Sequence, residues 1–245
     1  MIPMQDPLFW LLAIIGVIMT GISKSGFAGG AGVVAVPLLA LVMPIPLAAA
    51  LMLPLLLVMD AKTVALYKDS LSDLKSMIPM CIAALIGIAV AGTAMASLST
   101  DVLQIALAIL CIAFASWDNL APLLARMPGA AFVWGGLSGI TSTLLHAGGP
   151  PVSIYFLSKK LEKKQWLAQA SVFFALMNVT KIIPYTLHDS WTKDVLIAGL
   201  ILFPFALIGV KLGSKLQQHI SQANFVKICR GLLAVSGIIL VIKLL

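Results

Sequence analysis

GISKSGFAGGAG at residues 21–32 and GITSTLLHAGGPP at residues 139–151 are the two stretches on which the reading of this chain turns. Both interrupt long apolar runs. Glycine and proline together stop a helix and turn the chain, so each stretch reads as a break between two helical arms. The setting of those breaks follows from composition. Of 245 residues, 61% are hydrophobic and 10% are charged, with mean hydropathy +1.08. Soluble domains carry about 45–50% apolar and about 25% charged residues. No globular core of this length hides so much apolar surface from water, so the solvent for most of this chain is lipid.

Working outward from the breaks, apolar segments run over 8–22, 31–43, 46–66, 77–97, 101–117, 131–145, 149–158, 166–186, 194–212 and 224–245. A spanning helix takes about 20 residues. The segments at 46–66, 77–97, 166–186, 194–212 and 224–245 meet that length, and 101–117 stands at its lower limit. Those at 31–43, 131–145 and 149–158 are too short to span alone, and they flank the breaks. Unpaired backbone at membrane depth survives only where it is buried in protein or faces a wet cavity. Each break is therefore expected to be the tip of a helical hairpin that enters the membrane and turns back. The start, MIPMQDPLFW, lacks a basic leader, so the first apolar stretch reads as a retained helix.

The halves resemble each other. AGG recurs at 28–30 and 147–149, GIS at 21–23 matches GIT at 139–141, Leu47-Ala48 matches Leu167-Ala168, and Tyr67 matches Tyr185. The offset stays near 120 residues throughout, which points to an internal duplication. The expected fold is an all-α polytopic membrane protein of two inverted repeats, 1–125 and 126–245, within one integral membrane domain. Each repeat is a re-entrant hairpin followed by three spanning helices. An odd number of crossings per half turns the second half upside down. With the N-terminus outside, loops near 67–76, 118–130, 158–165 and 213–223 face the cytoplasm, and they or their flanking helix ends hold most of the lysines and arginines, as positive-inside bias requires. Trp10, Trp117, Trp134, Trp166 and Trp191 fall near proposed helix ends, where interfacial belts form.

The net charge of +7 is met mainly by that bias. Nucleic acid is not an expected partner, since no basic stripe is interleaved with aromatics. Cys81, Cys111 and Cys229 lie in apolar segments without CxxC spacing, and neither a disulfide framework nor a metal site is expected. No cofactor motif and no enzyme constellation emerges.

Intramembrane charge is costly, about 2.5–3.5 kcal/mol for a lysine at mid-depth, so charged residues in apolar segments are site candidates. At the first tip these are Lys24 with Ser23 and Ser25 as donors, and Gly26, Gly29 and Gly30, which let backbone N–H groups approach a ligand. A following helix N-terminus adds partial positive charge. Thr141, Ser142, Thr143, His146, Gly148 and Gly149 form the second tip. Asp60 and Lys62 interrupt the third apolar segment, and Asn178 and Lys181 interrupt its repeat partner, with the two lysines in apparent register. Donors, cations and helix ends together describe a midplane anion pocket. Lys24 is expected as principal counter-charge, with Lys62 and Lys181 entering from both sides and His146 or Asp60 as proton carriers.

The segment 21–37, GISKSGFAGGAGVVAVP, resembles the opening signature of the TauE/SafE sulfite exporter family, also called the toluene sulfonate uptake permease family. The second tip with NVTKIIPY at 178–185 is similar to the matching region of that family's second half. The resemblance implies a multi-pass carrier in the bacterial inner membrane for sulfite, sulfoacetate or other organosulfonates, with export as the expected direction and a homodimer as a compatible assembly. The alternatives from other classes are an anion channel and a non-transporting membrane assembly or regulatory partner.

Overall fold

The computed structural model describes residues 2–27, 32–95, 97–115, 129–157, 159, 161–219 and 221–243. Among them the regular structure is helical throughout. The helices are α1 (Pro7–Gly26), α2 (Ala35–Ala40), α3 (Ile45–Tyr67), α4 (Ile78–Ala94), α5 (Thr100–Ala115), α6 (Ala130–Leu145), α7 (Gly149–Leu157), α8 (Lys163–Leu187), α9 (Lys193–Leu216) and α10 (Gln222–Ile242). A 3-10 turn, Gly32–Val34, leads into α2.

Local chemistry starts these helices where the sequence places them. Asp6 caps α1 by accepting from Leu8 N at 2.8 Å, with Pro7 in the first turn, where its missing N–H costs nothing. Thr192 caps α9 through Val195 N, and Ser221 caps α10 through Asn224 N. Among the described residues, five helical stretches are long and apolar enough to cross a membrane: Pro7–Gly26, Ile45–Ser70, Leu74–Ala94, Lys163–Leu187 and Lys193–Leu216. Their outer faces remain apolar. Leu200 is 76% exposed and Leu187 is 75% exposed, an arrangement stable only against hydrocarbon.

The first break differs from its expected form. The apolar run stops at residue 22, yet α1 continues to Gly26 and reaches spanning length. Polar residues end an apolar segment in sequence, but they stay helical when buried partners satisfy them, as Lys24 and Ser25 are below. The second break falls where expected. His146 adopts a left-handed conformation, φ 49 and ψ 34, and its N–H donates to Ser142 O at 3.1 Å, closing α6. Histidine is among the few non-glycine residues enriched there. Trp134 falls near the start of α6 and is buried, and Trp117 lies outside the described residues. Cys81 and Cys111 are free, Cys111 fully buried.

The principal helix pairs correspond when the two halves are exchanged. α1 lies along α9 as α6 lies along α4; α3 packs on α9 as α8 packs on α4; α3 meets α8, and α5 meets α10. The α1–α9 and α6–α4 crossings are close because glycines face backbone. A Cβ on Gly21 would stand 2.9 Å from the Gly209 carbonyl carbon, and one on Gly209 would stand 2.7 Å from Ile18 O. In the other pair, a Cβ on Gly139 would collide with the Ala84 carbonyl oxygen. Small residues spaced by four, Gly209 with Gly213 and Gly135 with Gly139, are the packing currency of helices in lipid.

Candidate functional site

Two broken helices end beside two long ones. The last four carbonyls of a helix lack partners, and here two tyrosines supply some. Tyr67 on α3 donates to Ser25 O at the end of α1. Tyr185 on α8 donates to Thr143 O at the end of α6, at 2.7 Å. Each bond spans 42 residues. The tyrosines therefore tether the tips to the central α3–α8 pair.

Charge collects between the tethers. Lys24 forms a buried ion pair with Asp60 Oδ1, and its Nζ stands 4.9 Å from the Phe174 ring centroid. The Asn178 side-chain amide donates to Asp60 Oδ2 across 118 residues of sequence. Asp60 thus joins α1, α3 and α8. Lys181 is fully buried. Its Nζ meets Ser142 Oγ at 2.9 Å, Ser142 O at 3.2 Å and His146 Nδ1 at 2.8 Å. His146 Nε2 stands 2.8 Å from Ala49 O. A carbonyl only accepts, so Nε2 carries the proton and Nδ1 accepts from Lys181. Pro54 lacks the N–H that would reach Ala50 O, so α3 is interrupted one residue beyond the Ala49 carbonyl.

A cavity of about 30 Å3 opens beside this cluster, lined by Thr20, Lys24, Leu56, Ser142, His146, Gly148, Gly149, Phe174 and Asn178. That is room for about two water molecules. Gly149 opens α7, but Pro150 and Pro151 follow it and contribute no N–H, so the helix end offers a thinner set of amide donors than its position suggests.

The structure brings together Lys24, Asp60, Ser142, His146, Gly148, Gly149, Asn178 and Lys181. Other expected site residues serve packing. Ser25 Oγ donates to Val210 O at 2.7 Å, tying α1 to α9. Gly26 faces the Gly213 backbone. Thr143 Oγ1 donates to Gly139 O within α6. Thr141 lines a separate apolar cavity behind the tip with Trp134, Pro150 and Pro151. Ser23 is fully buried and does not line the cavity. Gly29 and Gly30 lie outside the described residues.

Lys62 requires a correction. It is exposed, turned away from the cluster. Asp60 and Asn178 are the residues that meet, and their spacing of 118 pairs Lys62 with Thr180 and Lys181 with Thr63. One residue on a helix is about 100° of rotation, which carries Lys62 to the outer face. The partners of Asp60 are Lys24 and Asn178. Among the described lysines, Lys24 and Lys181 are the buried ones. Sequence reasoning missed Thr20 and Phe174, each one helical turn before a recognised residue, Lys24 and Asn178 respectively.

Residues 12–240 match the protein-family model described as sulfite exporter TauE/SafE. The chain belongs to the TauE/SafE family. No curated protein and no solved structure matches it. The TauE/SafE match covers both helix breaks and every residue of the buried cluster. TauE/SafE is a family of transporters, and a polytopic helical bundle with a polar cavity at two helix breaks suits that role.

Proposed function

We propose that the chain is a secondary transporter that exports a small sulfur-containing anion, sulfite or an organosulfonate, across the bacterial inner membrane. The observation that carries this reading is the charge of the buried cluster. Two buried lysines and one buried aspartate gather where polar side chains, a helix break and a cavity coincide. Burying a charge costs several kcal/mol, about, unless it is paired, so such a cluster is suited to receiving an anion. Ser142, Asn178 and Lys24 are the donors that would hold its oxygens.

The two halves, 1–125 and 126–245, act in this proposal as inverted repeats. The exchange symmetry of the helix contacts and the paired tyrosine tethers support that arrangement. Alternating access follows from one repeat rocking against the other. The cavity is small, so an anion larger than a few atoms enters only as the tips part.

Uptake of radiolabelled sulfite and methanesulfonate into proteoliposomes tests the reading. Saturable uptake that is lost in Lys24→Met and Lys181→Met is expected. Non-saturating conductance in planar bilayers would instead make the protein a channel, and no anion-dependent flux or binding would refute transport. Inversion is tested separately with single cysteines in a background without native cysteines. Ser72→Cys and Ser190→Cys occupy corresponding inter-helix loops, and a membrane-impermeant thiol reagent should reach them from opposite sides.

A further inference from the structure

The same site carries a statement about the valence of its ligand, which rests on the anion-binding reading above. Its charges can be counted from geometry. Asp60 has both oxygens occupied by donors, Lys24 on Oδ1 and Asn178 on Oδ2, so it is an ionised, accept-only carboxylate. Lys181 has three donors and meets three acceptors, Ser142 O, Ser142 Oγ and His146 Nδ1. Three acceptors suit an ammonium, and Lys181 is taken in that form. His146 donates from Nε2 to Ala49 O and accepts at Nδ1, which makes it neutral. Lys24, Lys181 and Asp60 are the charged side chains buried among the described residues. The cluster therefore holds one positive charge in excess.

We infer that this site selects monovalent over divalent oxyanions, with Asp60 as the residue that sets the preference by cancelling the charge of Lys24. A monoanion, such as a sulfonate or hydrogen sulfite, brings the buried cluster to neutrality. A dianion, such as sulfate, leaves one negative charge buried in surroundings that include Leu56 and Phe174. Uncompensated charge in a low-dielectric site is the costly case. Asp60 does not need to touch the ligand. It acts by neutralising a cation that does line the cavity.

Methanesulfonate and sulfate are a suitable pair of probes at neutral pH. Both present oxygens on tetrahedral sulfur, and they differ by a methyl group in place of a charged oxygen. Binding to the detergent-purified full chain is measured by calorimetry and thermal shift. The wild type should bind methanesulfonate about tenfold or more tightly than sulfate, the scale of one unbalanced charge in a partly screened site. Asp60→Asn raises the excess to two positive charges and should reverse the order. The double variant Lys24→Met with Asp60→Asn returns the excess to one, and the preference for methanesulfonate should return with it. Should Asp60→Asn not fold, the wild-type ratio and the double variant still decide. Sulfate binding to the wild type as tightly as methanesulfonate overturns the inference while leaving anion transport intact, as does an order unchanged in Asp60→Asn. Binding of neither anion overturns the inference together with the anion-site reading.

Discussion

Replacing Lys181 by methionine separates a ligand-binding role from a structural one. The Lys181 ammonium is 2.9 Å from Ser142 Oγ, and that hydroxyl lines the cavity. An anion oxygen bonded to Ser142 lies about 2.7 Å beyond the hydroxyl, hence about 5 Å from the charge. At an effective dielectric of about 20, a unit pair at that distance is worth about 3 kcal/mol, or about two orders of magnitude in Kd. Ligand at a hundredfold excess over Kd stabilises the wild type by about 2.7 kcal/mol, and the same concentration should stabilise Lys181→Met by only a few tenths, roughly. Without ligand the variant should stay within about 2 kcal/mol of the wild type. Removing a buried cation relieves desolvation, which offsets the acceptors left on Ser142 and His146. Denaturation in detergent, with and without methanesulfonate, reads both quantities. A full ligand-induced shift retained in Lys181→Met would refute the assignment of Lys181 as counter-charge.

Other substitutions probe the scaffold. Tyr67→Phe and Tyr185→Phe each remove a buried hydrogen bond to a helix-end carbonyl, and each should cost about 1–3 kcal/mol in thermal denaturation; a neutral result at both would dissolve the tether idea. Gly139→Leu drives a side chain into the Ala84 carbonyl and should abolish monodisperse protein on size exclusion. Gly231→Ala has open space around it and should raise stability by up to about 1 kcal/mol from helix propensity. Lys62→Ala should change neither anion binding nor stability by more than about 0.5 kcal/mol, and a large loss of binding would return Lys62 to the site.

The fold was legible because its signals are local and repeated. Apolar runs of about 20 residues specify spanning helices, and the observed helices begin and end within a few residues of them. The glycine- and proline-rich stretches mark the breaks, and matching residues at an offset near 120 are what the proposed duplication rests on. The candidate site was legible in outline: Lys24, Asp60, Ser142, His146, Asn178 and Lys181 all stand in apolar segments, where charge and polarity need a reason. Thr20 and Phe174 were not visible, because a threonine or phenylalanine in a membrane helix has many uses.

By itself, then, the sequence determined the solvent, the helices, the two breaks and the family. These depend on composition and short-range pattern, which any stretch of chain displays without reference to the rest. Only the tertiary structure decided which polar side chains face one another. That choice turns on rotation about each helix, where a slip of one residue is about 100°; Lys62 and Lys181 read alike along the chain, yet Lys62 is exposed and Lys181 is buried against Ser142 and His146. The pairing of Lys24 with Asp60, and with it the single surplus charge, exists only once α1, α3 and α8 are packed together.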